Sequence, residues 1–557
     1  MTNSEIRVSR NRRANVSLSW LASRFAARGS HGRLASRISM VLALIGSATV
    51  LPAADEVGLD RTATQWSPFV EWQLPNASYD GNPFDLEATV AFVHDETGER
   101  RTTGMFYAGN DAWSFRFTGT RPGLWQFSTS SADSELNGRR GTVIVKANTV
   151  GYGFVTNAGN KWARQFGSKG TLEAFVPQYV MYDSPDVFHG KPKQIDRHIQ
   201  SAIEQHGFTG FHVPVACRWF DINHDRSSDI RSDEPNPDAR TFEALELLIT
   251  KTQAADGVVH LWAWGDNQRN QTPDKWGING KVDRRLQRYI AARLGPLPGW
   301  TMGYGFDLWE WVSGEDLAEW HQHMHAHFGW PHLLGARASK NKLDQLTEVL
   351  DYSSYEQHRP DYEMYVKTIE RRPNKPSFSE DRFRIRKSPY PEKDYDLERT
   401  RRGLWQSAMA GGVANIWGYL FVDPVANPDA GPSFPYPDPH AIRTNAEFLR
   451  KRFLVDLLRD NTLTDGVCLR DVAKTHFLFY REDADSVRLD LAQMAGQQPA
   501  VAVDAKRPYQ EIELGRVDPK QHDWKAPYPS DWAIAVGEFP RALPESRPSP
   551  ESRSQSK

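Results

Sequence analysis

Two acid-bearing stretches carry the chemistry this sequence offers. Lys375–Arg386, KPSFSEDRFRIR, runs from a proline-led apolar start into Glu380 and Asp381 and then into Arg382, Arg384 and Arg386. Gly303–Trp311, GYGFDLWEW, carries Asp307 and Glu310 among aromatic residues. Each reads as a strand that ends in acid groups. Two carboxylates presented at strand ends, in an aromatic-rich setting, are the minimum equipment for cleaving a glycosidic bond. One attacks the anomeric carbon and the other, kept protonated, delivers a proton to the leaving oxygen. A carboxyl separation of about 5–5.5 Å gives retention and one of roughly 6.5–9.5 Å gives inversion.

Such acids need a scaffold that brings distant strand ends together. Between about 150 and 454, strand-like runs (TLEAFVPQYV, GFHVPVAC, VVHLWAWG, WTMGYGFDL, PHLLGARA, VLDYSSYEQ, KPSFSE, VANIWGYL) alternate with eight helix-like runs. Eight of each over about 300 residues is the count and size of a (β/α)8 barrel, whose chemistry sits at the carboxyl ends of its strands. A doubly wound sheet would call for a Gly-rich phosphate loop after the first strand, and none is present. On the fourth strand, alternation places Gly303, Gly305 and Asp307 on one face and Met302, Tyr304 and Phe306 on the other. On the seventh, Glu380 shares a face with Phe378, and Asp381 shares the other with Ser377 and Ser379. A bulge near the strand end would be needed to reconcile Glu380 with a place at the barrel mouth.

This arrangement resembles the large clan of retaining glycoside hydrolases built on the same barrel, which place an acid/base at the end of strand four and a nucleophile at the end of strand seven. The resemblance implies Asp307 as acid/base and Glu380 as nucleophile. Phe306-Asp307 stands where most of the clan has Asn-Glu, so Glu310 is the alternative acid, and Asp381 is the alternative nucleophile. Trp417, on strand eight, matches a position where the clan often stacks an aromatic ring under the sugar; Trp309 and Trp311 are further candidates for the sugar site.

Basic residues gather at the same strand ends: Arg218, Arg337, Arg359, Arg382, Arg384 and Arg386. Guanidinium groups grip sulfate and carboxylate bidentately, so a sulfated or uronic-acid-containing polysaccharide is one substrate class, with Arg337 and Arg382 as binding residues. The other reading is internal pairing with Asp and Glu. Over the whole chain of 557 residues the net charge is −2, which gives no electrostatic reason to invoke nucleic acid or a membrane surface.

The flanks have a different texture. Residues 1–54 hold a basic leader, an apolar run from Ile38 to Leu51 and a small-residue exit, the order of a secretory signal. That predicts a secreted or periplasmic protein, or one held at the cell surface, free of the membrane once the signal is cleaved. From 64 to 149, short alternating runs separated by Asp-Gly, Gly-Asn and Pro-Gly turns predict a β-sandwich. FYAGNDAWSFRFTGTRPGLWQFSTSS within it resembles the small N-terminal sandwich found ahead of glycosidase-like barrels in secreted bacterial proteins. Residues 455–540 return to strand-like runs, predicting a C-terminal β-sandwich that packs on the barrel and is similar to those of related polysaccharide-degrading enzymes. Residues 541–557 are too polar and Pro/Ser-rich to fold.

No cofactor or metal is expected. The two cysteines, Cys217 and Cys468, supply no disulfide framework or thiolate site and read as buried thiols. The loop Asp221–Asp229 spaces oxygen ligands as a calcium loop does but lacks its sixth-position glycine and twelfth-position glutamate. His321 and His325 share a helical face, but no third ligand is evident beside them. Two other function classes remain open: a polysaccharide lyase using a Tyr, Lys or His base, and a non-catalytic glycan-binding or surface protein.

Overall fold

A computed structural model describes residues 59–182, 184–337, 348–383, 397–419 and 439–540. The expected leader and apolar run, the expected tail, Arg384, Arg386, most of one of the eight helix-like runs (KLDQLTEVL, 342–350) and the side chain of Arg382 lie outside the described residues. No helix among the described residues is long and apolar enough to cross a membrane.

Eight parallel strands form one sheet: Gln178–Met181, Gly210–Pro214, Val258–Trp262, Trp300–Gly303, Leu334–Gly335, Ser353–Tyr355, Ser377–Arg382 and Val413–Tyr419. Numbered one to eight along the chain, they lie in the order five-four-three-two-one-eight-seven-six, a barrel that ladders close everywhere except between strands five and six. Asp351 stitches that seam: its N–H donates to the Leu334 carbonyl (2.9 Å), and its carboxylate accepts from the Leu334 N–H (2.8 Å). The strand residues are apolar on both faces because both are covered, as a parallel sheet demands. Tyr179, His260, Tyr352, Phe378 and Ile416 pack inward, while Val180, Val213, Leu261 and Met302 face the helices.

Helices follow strands one to four and six to eight, at Pro192–Ile199, Ala239–Ala254, Lys281–Leu294, Gly314–His327, Tyr362–Arg371, Leu397–Met409 and Pro439–Leu449. Their starts are set locally. Asp238 and Asp361 accept N–H groups of the first turn, and Ser313 with Asp316 forms a reciprocal capping box. The first helix continues as a π-turn over Gln200–Gln205.

The run TLEAFVPQYV, expected as one barrel strand, is two. Thr171–Ala174 belongs to a separate antiparallel sheet with Tyr152–Ala158 and Lys161–Phe166, and only Gln178–Met181 enters the barrel. Pro177 lies between them and has no N–H to donate to a ladder. Trp162 of this small sheet plugs the amino-terminal end of the barrel, its indole donating to the Ser377 carbonyl (2.9 Å) and its ring 5.1 Å from that of Tyr352.

Ahead of the barrel, a five-stranded and a three-stranded sheet enclose Trp72, Phe92, Phe115 and Phe127, with Trp72 stacked on Phe115 at 5.0 Å. Strand Ala88–His94 shows why: every second side chain is buried. Arg116 fastens this sandwich to the barrel, reaching Glu246 (2.9 Å) and the Arg293 carbonyl (2.8 Å). Arg285 reaches back to Asp85 (2.6 Å). After the barrel comes a six-stranded antiparallel sheet whose two long strands, Phe477–Asp490 and Gln521–Val536, pass through bulges. One face, through Leu478, Tyr480 and Val503, packs on Trp405 and Phe448; the other encloses Phe477, Val487, Trp532 and Ile534. Buried Asp531 accepts from Arg401 (2.5 Å) and Arg402 (3.1 Å) across that junction. Cys217 and Cys468 are free and buried.

Candidate active site

Strand seven brings Glu380 to the barrel axis because Phe378, two residues earlier on the same face, points inward; a bulge is present, but it is not needed for this. Ser379 pairs with Asn415, but the next partner along strand eight, Ile416, is met by Arg382, so Glu380 and Asp381 are extra residues in the ladder. Phe378 points inward, so Glu380 on the same face follows it by ordinary alternation, and the irregularity acts on the next residue, turning Asp381 toward Arg337 and His358. Glu380 is fully buried. Its Oε1 accepts from the Trp262 indole (2.7 Å) and lies 3.2 Å from His260 Nε2 and 3.4 Å from the Tyr352 hydroxyl. Its Oε2 accepts from Ser354. Four neighbours on and beside strands three and six thus fix one carboxyl group, and a buried polar group is tolerated only when so partnered.

Behind Glu380, His260 Nδ1 and His212 Nδ1 are 2.7 Å apart and share a proton. The two histidines are register partners on strands three and two. If His260 donates from Nε2 to Glu380, its Nδ1 must accept and His212 must be the donor, so the pair sets the tautomer that faces the carboxylate.

Strand four ends at Gly303, after which the chain turns sharply. Gly305 has φ 156° and Asp307 sits in the left-handed region at φ 52°, a conformation that costs a non-glycine residue energy and that Asp tolerates better than most. The alternation expected over 302–307 therefore stops at Tyr304, and Phe306 swings inward to lie 4.9 Å from the Trp262 ring instead of facing the helices. Asp307 is ion-paired to Arg337 from strand five, and the same guanidinium reaches Asp381 (3.1 Å). His358, after strand six, completes the cluster: Nδ1 meets Asp381 (2.8 Å) and Nε2 meets Glu356 (3.0 Å).

The electrostatics differ along this row. Burial, the largest effect, pushes the Asp307 carboxyl above its ordinary value, and Glu356, Asp381 and Asp266 add to the rise while Arg337 opposes it. Burial disfavours the charge on His358, but hydrogen bonds to Asp381 and Glu356 win and raise it to about 9. Glu356 is held below its usual range, chiefly by that imidazolium. Glu356, His358 and Asp381 are close enough to surround a cation, but an imidazolium already occupies the position between the two carboxylates. Beside the outer end of this row a cavity of about 590 Å³ is lined by Glu356 and His358 together with Arg359, Asp361, Arg402 and Glu482; Asp307, Arg337, Glu380 and Asp381 are not among its lining residues.

With the site laid out, the likeness to known proteins is specific in architecture. Residues 62–132 match a family described as a domain of unknown function (DUF5060). No curated protein sequence matches the chain. Among solved structures, the chain is similar to a Bacteroides vulgatus protein proposed to be a glycoside hydrolase, with a TM-score of 0.63, 15% identity, and coverage of 86% of this chain and 100% of that one. A second structure, described as a glycoside hydrolase, aligns at TM-score 0.52 and 12% identity over 70% of this chain and 97% of that one. A glycoside hydrolase family 5 structure from Bacteroides vulgatus aligns at 0.51 and 12%, over 70% and 94%. This chain has the fold of glycoside hydrolases.

Within that fold the expected residues separate. Asp307 and Asp381 meet on Arg337 at the mouth, and Glu380, held deeper by its own partners, is near enough to act electrostatically on the same guanidinium. Trp417 is not: alternation sends Ala414 and Ile416 inward, and Trp417 points outward with Asn415, its indole donating to Gln178 (2.8 Å) and its ring 4.9 Å from Phe383. It supports the wall and offers no face to a sugar. Trp309 is 57% exposed on the turn after strand four, and Trp311 stacks on Tyr304. Glu310 is half-buried and accepts from Gln268 (2.9 Å). Arg218 turns away to Asp225 (3.5 Å). The Asp221–Asp229 loop spends Asp221 on Arg240 and Asp225 on Arg218 and Gln271, and among the described residues it gathers no group of three metal ligands. Trp262, Ser354, His260, Glu356 and His358 were not singled out from sequence. Polar histidines inside the apolar runs GFHVPV and VVHLWAW were the available signal.

Proposed function

We propose that this protein is a glycoside hydrolase that cleaves a polysaccharide with Glu380 as nucleophile and Asp307 as acid/base. The observation that carries this reading is the contrast between the two carboxyls. Glu380 is an acceptor held by Trp262, Ser354, Tyr352 and His260, whereas Asp307 is partly exposed and pushed by burial toward its protonated form. In the first step, Glu380 bonds to the anomeric carbon as the glycosidic C–O bond breaks and the Asp307 proton passes to the leaving oxygen. In the second, Asp307 takes a proton from water, which displaces Glu380 and returns a sugar of unchanged anomeric configuration.

The charge of the mouth favours a sugar that is neutral at the cleaved bond. Arg337 is committed to Asp307 and Asp381, and Arg218 to Asp225, so these two arginines no longer support the sulfated or uronic-acid class. The lyase alternative loses its tyrosine candidates on the barrel axis, because Tyr179 and Tyr352 are buried and their hydroxyls are pushed well above the ordinary value, which keeps them protonated and unable to take a proton. The basic leader and apolar run of 1–54 support action outside the cytoplasm.

The test is a screen of neutral, sulfated and uronic polysaccharides by released reducing ends, followed by NMR of the first-formed anomer and azide rescue of Asp307→Ala on a substrate with an activated leaving group. Retention and rescue are the expected results. Rescue of Glu310→Ala in place of Asp307→Ala would move the acid/base to Glu310.

A further inference from the structure

A second constellation lies on the outside of the barrel, away from the mouth. His321 and His325 stand one turn apart on helix Gly314–His327, with their rings 4.4 Å apart. The third ligand that the helix alone could not supply is Asp351, 30 and 26 residues along the chain. Its Oδ1 is 3.0 Å from His321 Nε2, and its Oδ2 is 2.8 Å from His325 Nε2. All three donor atoms lie within 4.8 Å of one another.

We infer that His321, His325 and Asp351 form a binding site for a divalent transition-metal ion, zinc foremost, that ties helix Gly314–His327 to the seam of the barrel. Two imidazole nitrogens and one carboxylate oxygen are the donor types zinc takes, and solvent would fill the remaining position of a tetrahedral site. Ligands at about 2.0–2.2 Å from the ion place neighbouring donors roughly 3.3 Å apart, close to the two His–Asp separations of 3.0 and 2.8 Å. The carboxylate is oriented before any ion arrives, since Asp351 Oδ2 also accepts from the Leu334 backbone, an outer contact of the kind that fixes metal ligands. His325, with about a third of its side chain exposed, provides the entry path.

The location gives the ion a task. Asp351 bridges strands five and six, where the barrel has no ladder, and it directly precedes Tyr352 and Ser354, which hold Glu380. An ion there joins the helix after strand four to that seam. The consequence is thermal stability of the barrel, with the chemistry at the mouth unaltered.

Equilibrium dialysis of the tag-free chain against zinc, after chelator treatment, tests this without recourse to activity. One equivalent is expected to bind, to raise Tm, and to be lost in His325→Ala but kept in His358→Ala, which removes the other cluster of potential ligands. Cobalt in place of zinc should give the visible d–d absorption of a four-coordinate site, again lost in His325→Ala. Because Asp351→Asn disturbs the seam itself, the solvent-accessible His325→Ala carries the test, and its circular dichroism without metal should match the parent. The site is refuted by the absence of saturable zinc binding, or by an equivalent that survives His325→Ala or disappears with His358→Ala.

Discussion

Gly303 faces Glu380 across the barrel so closely that a β-carbon on Gly303 would stand 1.9 Å from Oε1 of Glu380. The glycine is therefore a condition of the site, not of its own strand, since its backbone asks for nothing special. The same β-carbon would come within 3.0 Å of the Trp262 indole that hydrogen-bonds Glu380. Gly303→Ala should displace the carboxylate by an ångström or more and lower kcat/KM about 100-fold, the cost of such a misplacement. A variant with parental circular dichroism and near-parental turnover would show that Glu380 is not the reacting group.

Arg337 lies between Asp307 and Asp381, buried, with its guanidinium also about 6 Å from the Trp262 and Phe306 ring centres. Removing one partner of a buried ion pair leaves the others uncompensated, so Arg337→Met should cost about 3 kcal/mol in denaturant unfolding. Arg337→Lys should recover little, because one ammonium cannot span two carboxylates as a planar fork does.

His358 makes stability depend on pH in a defined window. Its folded value of about 9 stands above the ordinary 6.5. A raised value means that the folded state holds the proton more tightly, so this contribution is complete below about pH 6.5 and fades as pH rises through about 9. Its size is at most about 3 kcal/mol. Unfolding midpoints of the parent should fall toward alkaline pH relative to those of His358→Gln, and the gap between the two should close. Parallel curves would mean that the imidazole is not gripped by Glu356 and Asp381.

Much of this was legible in the sequence, for reasons that also mark the limit. The helices declare themselves by local periodicity, and the barrel follows from their alternation with apolar strands. Glu380 was placed on strand seven, but its direction was not readable, because a period of two says that Phe378 and Glu380 share a face and not that this face is the inner one; only the packing of Phe378 inside the barrel decides it. Phe306 and Trp417 were misdirected for a related reason: the turn at Gly305 and Asp307 ends the alternation early, and the outward set of strand eight takes Trp417. Arg337 illustrates a different limit. A cluster of arginines and a cluster of acids look alike whether they bind substrate or each other, and only the fold shows that this one is spent on Asp307 and Asp381. His358 and Glu356 lie in a short polar segment, YEQHRP, whose spacing carries no signal until strand seven is beside it.

The central claim is the assignment of Glu380 over its neighbour Asp381, which is more exposed and lies at the same mouth. The direct measurement is turnover of Glu380→Gln and Asp381→Asn on whichever polysaccharide the screen identifies, paired with mass spectrometry of the parent trapped by a 2-fluoro sugar bearing a good leaving group. The account predicts that Glu380→Gln lowers kcat by about 10⁴-fold or more with its fold intact, by analogy with removal of other covalent nucleophiles. It also predicts that Asp381→Asn costs far less, and that the trapped sugar is recovered on a peptide modified at Glu380. Near-parental turnover by Glu380→Gln, or a label on Asp381, would contradict it.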